Sequence, residues 1–180
     1  IFVDADTGYG SVLNVGRAVR EFEKAGAAAL QLEDQLSPKR CPAAAAPSTL
    51  VSIDDAVARI KAALDARQDP DLLIVARTDA QDPGEALERA ARYAEAGADL
   101  IQPISRTFER HEQLVQLREA CGRRLSLMLM AGTWMTALTR EQIESVAAFA
   151  SYPIAGLLTT VHTVQANLRE LARRRSGDFA

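Results

Sequence analysis

Four short clusters in this 180-residue sequence have residue types and spacings that can do chemistry. The first is Asp4 and Asp6, which close the apolar run Ile1-Phe2-Val3 just before Gly8-Tyr9-Gly10. An apolar run that breaks into Gly-Tyr-Gly reads as a buried strand leaving into a loop. Alternate side chains of a strand share a face, so the spacing predicts both carboxylates projecting together from the strand's carboxyl end. Neighbouring carboxylates repel and raise each other's pKa unless they share a cation. A hard divalent ion such as Mg²⁺, which takes oxygen ligands and keeps several waters, would serve. An isolated D-x-D is equally what a strand end making loop hydrogen bonds looks like. The other clusters are Glu33-Asp34-Gln35, Lys39-Arg40-Cys41 and Arg77-Thr78-Asp79. A guanidinium such as that of Arg77 can clamp a carboxylate through two parallel hydrogen bonds, although Arg77 and Asp79 also suit a plain ion pair.

Strands must carry these groups, and the chain supplies them in alternation with helices. Val12, Val15, Val19 and Phe22 fall at helical spacing, and Gly26 stops that helix. Ala28 to Gln35 reads as a second strand, and residues 36 to 50 as a loop. Ser52 with Asp55 opens a helix whose core face is Val57, Ile60 and Leu64. Leu72 to Ala76 is a third strand, and Asp82-Pro83 starts the next helix. A fourth strand at Asp99 to Pro103 precedes a helix expected from Thr107. A fifth covers Leu125 to Met130, a short helix opens at Thr139 and Gln142, and a sixth strand covers Ala147 to Tyr152. The last helix covers about Leu157 to Arg175. His111 and His162 read as surface residues, and Trp134 with Met128, Met130 and Met135 as core packing. Repeated strand and helix units with apolar strands predict a parallel sheet buried on both faces, with functional side chains at the strands' carboxyl ends. Residues 1–180 thus read as a single partial barrel domain.

Composition excludes several classes. A net charge of −3 with interspersed signs argues against a nucleic-acid surface. No apolar run is long enough to span a bilayer, and no basic, apolar-cored leader opens the sequence. Two cysteines, Cys41 and Cys121, make no disulfide framework, so a cytoplasmic setting is expected.

Val3-Asp4-Ala5-Asp6-Thr7-Gly8-Tyr9-Gly10, Glu33-Asp34-Gln35, Pro38-Lys39-Arg40-Cys41 and Ala76-Arg77-Thr78-Asp79-Ala80, in this order and spacing, resemble the motifs of the isocitrate lyase and phosphoenolpyruvate mutase superfamily, with the methylisocitrate lyase-like branch as the nearer likeness. The resemblance implies an α/β fold of the (β/α)₈ TIM-barrel type, with the first two strands lacking in this chain. It implies Mg²⁺, replaceable by Mn²⁺, held by Asp4, Asp6 and Glu33, with Asp34 in a structural role. It places Arg77, Tyr9 and Gly10 against the substrate, and Lys39, Arg40 and Cys41 on a catalytic loop that closes over it. A thiol flanked by two cations has its pKa lowered, and Cys41 falls where lyases of the family place the group that protonates the departing carbon.

The implied activity is carbon–carbon bond cleavage of a small 2-hydroxy or 2-oxo di- or tricarboxylate through a metal-stabilised enolate. Oxaloacetate-type hydrolysis or decarboxylation, phosphonate mutase chemistry, and a non-catalytic barrel retained as a binding module are the alternatives. A small carboxylic acid is the expected partner, with no nucleic acid or membrane, and the family's tendency to form tetramers by exchanging a carboxyl-terminal helix implies a homo-oligomer. The pattern departs from the family's at Pro42 and Ala43, at Ile104, at Met128 to Ala131, and at Leu157 or Leu158. The metal chemistry is kept there, while recognition of the substrate's distal part is changed.

Overall fold

The computed structural model describes residues 1–40 and 49–174. Six strands run in it: β1 (Phe2–Asp4), β2 (Ala29–Glu33), β3 (Leu73–Thr78), β4 (Leu100–Pro103), β5 (Leu125–Met128) and β6 (Ala147–Ser151). They form one parallel sheet in chain order, each strand paired with the next. Helices α1 (Val12–Lys24), α2 (Ile53–Ala66), α3 (Pro83–Glu95), α4 (His111–Cys121) and α5 (Arg140–Val146) make the crossovers, and α6 (Ala155–Arg174) follows β6.

The sheet curls. Phe2 of β1 and Phe149 of β6 stack with ring centroids 4.8 Å apart, so side chains of the first and last strands meet across the hollow of the sheet. The α/β barrel type expected from the sequence is therefore present as a six-stranded half-barrel; eight strands are not found among the described residues.

Strand alternation sorts the residues by face. Leu30, Leu32, Ile74, Ala76, Ile101 and Leu127 are buried on the face covered by helices. The opposite face lines the hollow in layers. At the amino ends of the strands Ala29, Val75 and Leu100 pack with Phe2. Above them lie Gln31, Gln102 and Ser126, whose hydroxyl donates to Gln102 Oε1 at 2.8 Å. At the carboxyl ends stand Asp4, Glu33, Arg77, Ile104 and Met128. A two-residue period thus carries the chain from an apolar floor to a functional rim.

Helix starts follow their local chemistry. Ser52 caps α2 by accepting the Asp55 N–H, and Asp82 caps α3 by accepting that of Glu85, with proline at the first helical position. Thr139 and Gln142 form a reciprocal capping box on α5. One start differs from the sequence expectation: α4 begins at His111, four residues after Thr107. Thr107 is instead locked in a turn, its hydroxyl donating to the Ala80 carbonyl at 2.7 Å and its N–H to that of Ile104 at 3.2 Å. The fifth strand ends at Met128 because the Met130 N–H turns back to the Met128 carbonyl. His111 is half-buried, its Nε2 meeting the Gln142 carbonyl and the Ser145 hydroxyl at 3.1 and 3.0 Å, and so ties α4 to α5; His162 is exposed. None of the described helices is long and apolar enough to cross a membrane.

Candidate active site

The sequence clusters meet at the carboxyl rim of the sheet, around a cavity of about 940 Å³. Asp4, Glu33, Gln35, Lys39, Arg40 and Arg77 line one side of it. Their positions follow from register: Asp4 pairs with Gln31, and Glu33 with Arg77, so consecutive strands deliver acid, acid and base to adjacent places.

Arg77 is 8% exposed and grips Asp79 through two hydrogen bonds, Nε to Oδ1 at 2.7 Å and Nη2 to Oδ2 at 3.0 Å. Its Nη1 lies 3.2 Å from Glu33 Oε2. The side edge expected to clamp a substrate carboxylate is therefore taken by Asp79, two residues on along the same strand face, and Glu33 stands at Nη1. Burial disfavours the guanidinium charge, but Asp79, Glu33 and Asp4 outweigh it and raise the Arg77 pKa.

Behind this pair lies a second buried layer. The Asp79 N–H donates to Asp34 Oδ1 at 2.9 Å, and the Gln35 amide donates to Asp79 Oδ2. Asp34 in turn accepts from the Tyr93 hydroxyl at 2.7 Å and lies 3.4 Å from Arg89 Nη1. Burial raises the Asp34 pKa against the hydrogen bonds that lower it, and burial beside Asp34 pushes the Tyr93 phenol well above its usual range. Asp34 is thus 2% exposed and structural, and it fixes Asp79, which fixes Arg77. Arg89 and Tyr93 escaped the sequence reading. Their i,i+4 spacing on α3 is visible, but their pairing with a strand residue 55 and 59 positions away is not.

The two aspartates do not share one strand face. β1 ends at Asp4, and Asp6 turns in the left-handed region, φ 51°, with its N–H on Asp4 Oδ1 at 3.0 Å. Strand alternation stops before Asp6, which is why the expected parallel projection fails. Gly8 completes the turn at φ 84°, where a Cβ would stand 2.4 Å from Val15 Cγ2, so only glycine fits. Asp6 reaches the cluster through Lys39, whose ammonium contacts it directly and lies 3.5 Å from Glu33 Oε1. Burial disfavours that ammonium, yet Asp6, Glu33 and Asp4 together raise its pKa. Tyr9 and Gly10 stand outside the cavity lining: Tyr9 is half exposed at φ 62° and packs its ring on Phe22 of α1. Cys41 lies outside the described residues. Cys121 is buried at the end of α4, away from the cavity lining, and burial pushes its thiol up.

Glu33 is 3% exposed, and neither carboxylate oxygen accepts an aligned hydrogen bond, although Arg77 and Lys39 stand at ion-pair distance. Burial raises its pKa, with Arg77 pulling the other way. The two buried Glu33 oxygens without donors are hard ligands of the kind that a divalent ion takes. Among the described residues no three acidic, histidine or cysteine side chains close into a cage for one, and the Lys39 ammonium stands between Asp6 and Glu33.

The facing side of the lining includes Ile104, Met128, Met130 and Ala131, where the sequence departs from the family pattern, and Trp134, which with Met128, Met130 and Met135 reads from sequence as core packing. Met135 is indeed core. Met128 and Met130 instead face the cavity, with Ile104, Phe108 and Pro153, while Trp134 packs against the core and lines the cavity as well. A 3₁₀ turn at Trp134–Ala137 presents the indole, whose N–H donates to the Phe108 carbonyl.

A family model described as Phosphoenolpyruvate phosphomutase matches residues 1–173. The 2,3-dimethylmalate lyase of Eubacterium barkeri is 39% identical over 161 residues, 87% of this chain and 55% of that protein. The 2-methylisocitrate lyase of Aeropyrum pernix is 42% identical over 172 residues, 94% of this chain and 52% of that one. The chain thus spans about half the length of these curated relatives. Among solved structures, 2,3-dimethylmalate lyase in its trigonal crystal form superposes with a TM-score of 0.86 at 29% identity, covering 99% of this chain and 61% of that one. Phosphonopyruvate hydrolase in complex with oxalate and Mg²⁺ superposes with a TM-score of 0.78 at 28% identity, covering 97% and 61%. With the family model spanning nearly its whole length, the chain belongs to the phosphoenolpyruvate mutase and isocitrate lyase superfamily.

Proposed function

We propose that the cavity is the site of a carbon–carbon bond lyase acting on a small 2-hydroxy or 2-oxo carboxylic acid, with Mg²⁺ as its metal. The observation that carries this reading is the buried charge cluster at the strand ends, where Glu33 keeps two carboxylate oxygens without hydrogen bonds beside Arg77 and Lys39. The names of the lyase relatives supply the reaction class.

In this reading Asp4, Asp6 and Glu33 would hold the metal, at the place where the Lys39 ammonium now stands between Asp6 and Glu33. When bound, the ion offsets negative charge that develops on the substrate as the bond breaks. Arg77 and Arg40 attract and orient substrate carboxylates, with Arg77 held in place by Asp79. Lys39, once free of Asp6, serves the same anion. Cys41, next in sequence to Arg40, gives a proton from its Sγ to the departing carbon. Association of copies through α6 accords with its exposed Leu157, Val161 and Leu168.

Calorimetric titration with oxalate, in Mg²⁺ and again in EDTA, tests the site. Binding that needs Mg²⁺ and disappears in Asp4→Ala is expected; a folded chain that binds oxalate in neither buffer overturns the reading and leaves a non-catalytic barrel. Cys41→Ser should lower cleavage by roughly 10²-fold or more while keeping oxalate affinity, the loss typical of a missing general acid. A hydrolytic reading gains support from a TM-score of 0.86 to oxaloacetate acetylhydrolase at 26% identity. If Cys41→Ser leaves turnover of oxaloacetate unchanged, hydrolysis replaces cleavage.

A further inference from the structure

The cavity has two ends of unlike chemistry. The charged residues Asp4, Glu33, Lys39 and Arg77 in its lining come from β1, β2, β3 and the segment after β2. The facing wall comes from the ends of β4 and β5 and the segments after them, and it presents Ile104, Phe108, Met128, Met130 and Trp134. Arg106 and Glu109, of opposite sign, lie exposed at that wall's rim. Two polar groups of the wall are already engaged: the indole N–H of Trp134 donates to the Phe108 carbonyl, and the Thr133 hydroxyl to the Met130 carbonyl at 2.7 Å. Trp134 therefore offers ring carbon to the cavity, and Met130 offers a flexible thioether that adapts to irregular apolar shapes.

A carboxylate set against the side chains of Ile104, Met128, Met130 and Trp134 would lose water and gain no donor from them, whereas each buried methylene gains about fourfold in affinity. Resting on the carboxylic-acid reading above, we propose that the wall of Ile104, Met128, Met130 and Trp134 takes an alkyl or aryl substituent of the substrate, bulkier than the methyl groups in the relatives' names, while the substrate's carboxylates are held at the Arg77 end. Specificity then divides along the sheet: β1 to β3 recognise the acid, and β4 with β5 select the side chain.

The test is calorimetry of the 180-residue chain in Mg²⁺ with oxalate, 2-methylmalate, 2-butylmalate and citrate. At least about tenfold tighter binding of 2-butylmalate than of 2-methylmalate is expected, with citrate weaker than both, and Met130→Lys should abolish the butyl preference. If oxalate binds but butyl and methyl compounds are equal, or citrate is tightest, the inference falls while the carboxylic-acid reading stands. If Met130→Lys keeps its fold by circular dichroism and keeps the preference, the substituent lies elsewhere and the inference falls. If neither oxalate nor any malate binds, the reading beneath it fails and takes the inference with it. Binding of 2-butylmalate without binding of oxalate would separate the apolar wall from an acid site and also overturn the inference.

Discussion

The strand ends of β1 to β3 and those of β4 to β6 face one cavity and are built in opposite ways. On the first side each group is fixed by another: Tyr93 and Arg89 hold Asp34, Asp34 holds the Asp79 backbone, and Asp79 holds Arg77. On the second side the equivalent places are Ile104, Met128 and Pro153, which touch through carbon and impose no direction. A buried charge network is costly when incomplete and rigid when complete. An apolar wall of methionine and indole is tolerant of shape. The difference teaches that this half-barrel concentrates its buried polar groups on one side of the cavity and leaves the other side to apolar side chains.

Arg77→Ala should give the largest effect of any single change. It strands Glu33 and Asp79, which are 3% and 1% exposed, without their shared cation. Removing one partner of such a group costs about 3–5 kcal/mol. Urea unfolding should show that loss, and oxalate binding should vanish with it. A variant of near wild-type stability would mean that water or Lys39 compensates, and the two sides of the cavity would be less different than their geometry indicates.

Tyr93→Phe strikes the same network one layer back. The change removes the hydroxyl that donates to Asp34 at 2.7 Å and leaves the ring in place. A buried acceptor deprived of its donor costs roughly 1–3 kcal/mol. The expected readout is a lowered urea midpoint, with oxalate affinity reduced by less than in Arg77→Ala, because Asp34 keeps Arg89 and the Asp79 N–H.

These two residues also mark where sequence is legible and where it is not. Glu33 and Arg77 could be placed at strand ends because a run of apolar residues and a period of two are local signals, and the register that sets them side by side follows from parallel pairing. Asp6 could not, because its left-handed turn is set by Gly8 packing on Val15, a contact with the next helix. Asp34, read as structural, is buried in hydrogen bonds, but its partners Arg89 and Tyr93 become partners only when α3 docks on the sheet. Met128, Met130 and Trp134 show the converse: an apolar type says that a residue avoids water and does not say whether it faces a core or a cavity.

Ile104→Val is the smallest probe and the one that addresses the second side by itself. Ile104 is 9% exposed just beyond β4 and belongs to none of the ion pairs. Losing one methyl group should lower stability by about 0.5–1.5 kcal/mol. Ile104 offers no polar group to a dianion, so the Mg²⁺-dependent binding heat of oxalate should not change. If it does change, Ile104 must act on the charged side through the β4–β3 pairing that aligns Arg77 with Gln102, and the two sides would form one mechanical unit. A shift in stability with constant oxalate affinity would instead show the wall to be energetically separate from the acid site, the condition under which side-chain selection can vary while the chemistry at Arg77 and Glu33 stays fixed.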